Sequence, residues 1–191
     1  MSPLVLVARV GGARGARAAA AAVACAGSEA DRAGLLIDLD CGRSPRPALI
    51  ATAAARELEE RIAAHLPGAG VASRGRICHL ALPGDEDGLE QASAALAVGR
   101  DATTAVLLPP GQVQAALDGP VHPSGALLRA DLGSDRALTA LAAGDLIGRG
   151  IRPAVMKRPL GWLAGRRALA GALGPGLGEA LPQPACARLL E

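Results

Sequence analysis

The residues best placed to do chemistry lie near the start of the chain. A glycine turn, Gly11-Gly12-Ala13-Arg14-Gly15, separates an apolar run, Leu4-Val5-Leu6-Val7-Ala8-Arg9-Val10, from a stretch of small residues, Ala16 to Ala26. Such a turn at the head of a helix can seat a phosphate, because the first amides of a helix lack partners and its dipole is positive there. Gripping that phosphate takes a lysine followed by Ser or Thr after the last glycine. Here Gly15 is followed by Ala16 and Arg17. Arg14 or Arg17 can supply replacement charge, since a guanidinium holds phosphate bidentately, but Arg cannot replace a hydroxyl on magnesium. A second apolar run, Leu35-Leu36-Ile37, ends in Asp38-Leu39-Asp40. The candidate nucleotide-binding set is therefore Gly11, Gly12, Arg14, Gly15, Arg17, Asp38 and Asp40.

A dinucleotide would use part of the same set. Gly12 and Gly15 match the last two glycines of GxGxxG, Val10 replaces the first, and Asp38 is spaced downstream to accept a ribose hydroxyl. A Rossmann-type enzyme built this way still needs a general base, and the chain has no Tyr. His79 inside a strand and His65 at a helix end read as structural, which leaves His122, in the loop between Pro120 and Pro123.

Other clusters promise less. Asp85, Glu86 and Asp87 are consecutive, whereas calcium loops place ligands at alternate positions with a distal Glu, so they read as an acidic first turn of a helix. Cys25, Cys41, Cys78 and Cys186 form no CxxC pair and lie in or beside apolar stretches, as reduced buried thiols do. Arg149, Arg152, Lys157, Arg158, Arg166 and Arg167 concentrate near Trp162. Trp162, Arg166 and Arg167 would make a docking surface for an acidic partner, anionic lipid or DNA; the plain alternative is a solvated helix face with Trp162 packed on the sheet.

The elements that must position these groups alternate along the chain. Ala48 to Leu66 reads as a helix with Ile50, Ala54, Leu58, Ile62 and Leu66 on one stripe. Arg76 to Leu82 reads as a strand, Ala92 to Val98 as a helix, Thr103 to Leu108 as a strand stopped by Pro109-Pro110, and Val113 to Leu117 as a short helix. Ala126 to Asp131 comes next, then a helix from Asp135 to Ile147 capped by Ser134 with Leu138, Leu141 and Leu146 inward, a strand from Pro153 to Arg158, and a helix from Leu160 to Leu173. Short continuous apolar strands alternating with helices predict a three-layer α/β/α domain over residues 1–173, its mainly parallel sheet holding about six strands. Residues 174–191 read as a Gly/Pro-rich tail. Sites in such sheets lie at the carboxyl ends of the strands.

Composition narrows the classes further. The 191 residues are half hydrophobic, with one aromatic, Trp162, so base-stacking platforms are excluded. A formal net charge of +2 gives no general polyanion role, and neither nucleic acid nor membrane contact has support. The N-terminal apolar run has no basic residue before it, and Arg9, Arg14 and Arg17 break up the small-residue stretch beside it, unlike a signal peptide. No window reaches the roughly eighteen uncharged apolar residues of a membrane span. A soluble, cytoplasmic protein is the expectation.

In their order, these strand ends resemble the MinD/ParA family of P-loop ATPases, including the TadZ/CpaE-like positioning proteins of pilus assembly. Leu35-Leu36-Ile37-Asp38-Leu39-Asp40 is similar to the family's "LLIDxD" segment, Val106-Leu107-Leu108-Pro109-Pro110 to its Walker B strand and turn, and Val155-Met156-Lys157-Arg158 to its late base-contacting segment. The resemblance implies a P-loop NTPase-like fold, ATP or ADP as cofactor, and a homodimer joined through the face bearing the nucleotide loop. The same overlay puts Gly12-Ala13-Arg14-Gly15-Ala16-Arg17 on the loop, Ala16 at the phosphate lysine, Arg17 at the magnesium hydroxyl, Val10 at the signature lysine and Leu107 at the Walker B aspartate. A member without these groups is expected to hydrolyse very slowly or not at all, and to hold no nucleotide unless Arg14 or Arg17 replaces the lysine's charge for ATP or ADP. What remains is a pseudo-ATPase acting as a regulatory or scaffolding partner of a homologous ATPase or of a pilus or division component.

Overall fold

A computed structural model describes residues 3–13, 15–26, 28, 32–40, 45, 50–119, 121–130 and 135–156. Its elements are β1 (Leu4–Arg9), α1 (Ala16–Ala26), β2 (Gly34–Asp38), α2 (Ala53–His65), β3 (Gly70–Arg74), β4 (Ile77–Ala81), α3 (Glu86–Val98), β5 (Thr103–Leu108), α4 (Val113–Asp118), β6 (Gly125–Arg129), α5 (Arg136–Gly148) and β7 (Pro153–Met156). The strands form one sheet in the order β3-β4-β2-β5-β1-β6-β7. Every pairing is parallel except β3 with β4.

The central strands are what their sequences demand. β2, β5 and β6 are buried along their whole length, as continuous Leu, Ile, Val and Ala runs must be when helices cover both faces. Side chains alternate between two cores. Leu6, Ala8, Leu35, Ile37, Val106, Leu108 and Leu128 pack under α2, α3, α4 and α5. Val5, Val7, Leu36, Ala105, Leu107 and Leu127 pack with α1 on the other face. The result is a three-layer α/β fold. α1 sits close because it is almost all alanine, and the contact needs a bare backbone at Gly34, where a Cβ would run into the Ala24 carbonyl oxygen.

The crossovers keep one hand. β1 to β2 moves one way along the sheet under α1, while β4 to β5, β5 to β6 and β6 to β7 move the other way under helices of the opposite face. α2 breaks this sequence without breaking the rule, because it leads into the antiparallel β3 rather than a parallel strand.

The structure departs from the sequence reading in four places. Among the described residues there are seven strands rather than about six, since Gly70-Val71-Ala72-Ser73-Arg74 forms an edge strand without an apolar run. α2 starts at Ala53, capped by Thr52, whose Oγ1 accepts the Ala55 N–H at 3.3 Å, and Ile50 lies 81% exposed beyond it. α3 starts at Glu86 rather than Ala92, while the acidic residues form its first turn as read: Asp85 is the N-cap, accepting the Gly88 N–H at 2.9 Å, with Glu86 and Asp87 following. On α5 only Leu146 is buried; Leu138 and Leu141 point outward, because the residues meeting the core are Ala142, Ala143 and Leu146. Ser134 and the expected helix of residues 160–173 lie outside the described residues, as does the tail.

Among the described residues both edges of the sheet are blunted. On β3 the Ser73 N–H donates to Glu59 Oε2 at 2.8 Å, and Gly75 beyond it exchanges bonds with Ile50 and Thr52. β7 opens on Pro153, which has no amide to donate.

Candidate functional site

At the carboxyl ends of β1, β2 and β6 the chain gathers its buried charges. β1 delivers Arg9 and runs into the glycine turn, whose Val10 N–H donates to the Arg129 carbonyl at 2.8 Å. Gly11 and Gly15 both have positive φ, +56° and +82°, a conformation glycine alone takes without strain. Gly11 is further constrained by a neighbour, since a Cβ there would collide with Asp135 Oδ1. Gly15 accepts the Ala19 N–H at 3.1 Å and so opens α1.

β2 delivers the carboxylates. The end of that strand is pinned between its neighbours, with the Leu39 N–H on the Leu107 carbonyl at 2.9 Å and the Leu82 N–H on the Asp38 carbonyl at 3.0 Å. The Asp38 side chain is fully buried. Its Oδ1 accepts the Asp40 N–H at 3.0 Å, and its Oδ2 accepts Arg17 Nε–H at 2.6 Å. His79, on β4, holds Nε2 3.3 Å from the same Oδ2 without a directed hydrogen bond, so it acts on Asp38 by proximity. Burial alone would raise the Asp38 pKa, but His79 and Arg17 outweigh it and hold the carboxyl below its ordinary value.

Asp40 is matched to a second arginine. Arg9 Nε–H and Nη2–H meet its two oxygens at 2.5 and 2.7 Å, a bidentate fork. That bond keeps the Arg9 guanidinium above its usual pKa, against a smaller opposing effect of burial. Arg17 also donates to the Asp40 carbonyl at 3.4 Å. Two cations and two anions thus interlock across the gap between β1, α1 and β2.

Of the predicted set, Gly11, Gly12, Gly15, Arg17, Asp38 and Asp40 come together at one end of the sheet, and Arg14 lies outside the described residues. Arg17 faces Asp38 rather than presenting its charge to the turn alone. At the positions of the resemblance's lysine and aspartate, Ala16 and Leu107 are buried in the apolar layer on the α1 side. His122 stands exposed in the loop before β6. Trp162, Arg166 and Arg167 lie outside the described residues.

Sequence reasoning missed Arg9, Arg129 and Asp135, and took His79 as structural only. Arg129 is 1% exposed at the end of β6, with Nη1–H on the Ala130 carbonyl at 2.6 Å. The signal was there: a charge closing an apolar strand, as at Ala8-Arg9 and Leu128-Arg129, must find a partner where the strand ends.

No family model, curated protein or solved structure matches the chain. Among the described residues no group of three or more His, Cys, Asp and Glu side chains is arranged to hold a metal ion, and no helix is long and apolar enough to cross a membrane. The chemistry on display at these strand ends is charge neutralisation.

Proposed function

We propose that this chain is a non-hydrolysing, MinD/ParA-like pseudo-ATPase that works as a regulatory or scaffolding partner in spatial organisation, such as division-site selection, partitioning, or pilus and secretion placement. The observation that carries the reading is the ion-paired cluster at the strand ends. Phosphoryl transfer depends on positioned cations that neutralise the transferring group. Arg17, the described arginine at the loop, is matched to a buried carboxylate, and a phosphate taking its place would leave Asp38 buried without its cation. Ala16 and Leu107 offer neither a charge clamp nor a magnesium ligand.

The same geometry disfavours the dinucleotide alternative. A carboxylate that reads a ribose must face the ligand, whereas both oxygens of Asp38 are engaged inside the protein. In this proposal the protein acts on a protein partner, a homologous ATPase or a pilus or division component, and pairs with a second copy.

Calorimetric titration with ATP, ADP and NAD, with and without magnesium, tests the nucleotide side. No heat is expected up to about 1 mM ligand. Micromolar binding of ATP or ADP would refute the empty-loop reading, and NAD binding alone would replace it with the dinucleotide one. A fluorescent fusion spread evenly through the cell would refute the placement role, and a sedimentation profile that stays monomeric at all practical concentrations would remove the homodimer.

A further inference from the structure

We infer that the groove between α4 and α5 receives an amphipathic helix from a protein partner, with a Lys or Arg of that helix set against Asp145. This inference rests on the scaffolding reading above and names the chemistry of the partner. Among the described residues four large apolar side chains are exposed, and three of them, Leu138, Leu141 and Ile147, stand on α5. A single exposed Leu is ordinary. Two of the three, Leu138 and Leu141, lie one turn apart and line the same groove, whereas Ile147 lies about 180° round the helix from Leu138 and off it.

The shape suits a helix. A groove of about 460 Å³ opens beside α5, with Val10 and Val113 beneath, Pro110 on the α4 side, and Leu138, Leu141 and Asp145 on the α5 side. A groove flanked by two helices and floored by apolar side chains can seat the apolar ridge of a third.

Charge selects the partner. The groove is bordered by two charged side chains, Arg9 and Asp145. Arg9 is neutralised by its fork on Asp40, whereas Asp145 has no ion pair or hydrogen bond among the described residues. Among the described residues, then, the unpaired charge bordering the groove is negative and set among apolar groups. A basic residue on the incoming helix is attracted there, and an acidic one is repelled.

The test is fluorescence anisotropy of labelled peptides against the full chain, in the absence of nucleotide. Three probes are compared: an amphipathic leucine–lysine helix, a leucine–glutamate helix of the same spacing, and a leucine–lysine peptide of scrambled order. The first is expected to bind, with the other two at least about tenfold weaker. Leu141→Glu is expected to abolish that binding and Asp145→Lys to reverse the order of the lysine and glutamate helices. Both residues are exposed, and melting temperatures matching the parent will show that the variants fold. Failure of every peptide to bind, equal binding of ordered and scrambled peptides, or insensitivity to either substitution overturns the inference. ATP binding by the same protein would sink only the empty-loop reading, and an evenly spread fusion would sink the placement role; neither alters these peptide outcomes, so the failures are separable.

Discussion

Replacing Asp38 by Asn removes one charge from the centre of the interlocked cluster and almost nothing else. The amide keeps an oxygen for the Asp40 N–H, so the loss falls on the 2.6 Å bond with Arg17 and on the contact with His79. A hydrogen bond to a charged group contributes about 1.5–3 kcal/mol, and breaking a buried ion pair costs about 3–5 kcal/mol. The Arg17 side chain is 41% exposed, so water can solvate the guanidinium left behind, which sets the expected loss near the lower figure, about 2 kcal/mol. For a chain of this length about 1 kcal/mol moves the midpoint by roughly 2–4 °C, giving a fall of about 4–8 °C in Tm at pH 7. The acid dependence has a definite sign. Because the folded pKa of Asp38 is lowered from its unfolded value of about 3.9, its contribution is complete above that value and fades as pH falls through the folded one. Circular-dichroism melts of the parent and Asp38→Asn should therefore differ at neutral pH and converge in acid. An unchanged Tm at pH 7, or a gap that widens in acid, would refute the view of Asp38 as a buried, ionised partner of Arg17.

Three further outcomes turn on single positions. Gly34→Ala drives a Cβ into the Ala24 carbonyl and is expected to cost about 3 kcal/mol, whereas Gly144→Ala, with open space around it in mid-helix, should gain about 0.5–1 kcal/mol; urea midpoints will separate the two. Thr52→Ala removes the cap of α2 and should cost about 1 kcal/mol in the same measurement. The Cys78 thiol, pushed up to about 12 by burial and then by the charge of Glu59, should resist a disulfide-exchange reagent at pH 8 in the native protein and react on denaturation, with Cys78→Ala identifying the signal.

The central strands were legible because burial on both faces leaves unbroken apolar runs, as in Leu35-Leu36-Ile37 and Val106-Leu107-Leu108. β3 was not, since an edge strand needs no such run and its five residues begin with Gly70. On α5 the three leucines invited a common inward face. Leu146 lies five residues beyond Leu141, about 140° round the helix, so one side had to be exposed, and Ala142 and Ala143 decided which. At the site the sequence located Gly11 to Gly15, Asp38 and Asp40 as strand-end residues, because the position of a turn is local information. It did not reveal that Asp38 meets Arg17 and His79, or that Asp40 meets Arg9. Those meetings depend on β4, β2 and β1 sharing one end of a sheet whose order is not the order of the chain.

The blunted margins of the sheet limit how this protein can join anything else. Recruitment by adding a strand needs a row of vacant amides, and this sheet has withdrawn several of them: Glu59 occupies the Ser73 N–H, residues 50–52 occupy Gly75, and Pro153 has none to offer. Polymerisation through continuous β-pairing, the commonest hazard of an open sheet, is discouraged by the same devices. An assembly that avoids strand addition must use the helical surfaces, where side-chain identity rather than generic backbone pairing chooses the company the molecule keeps.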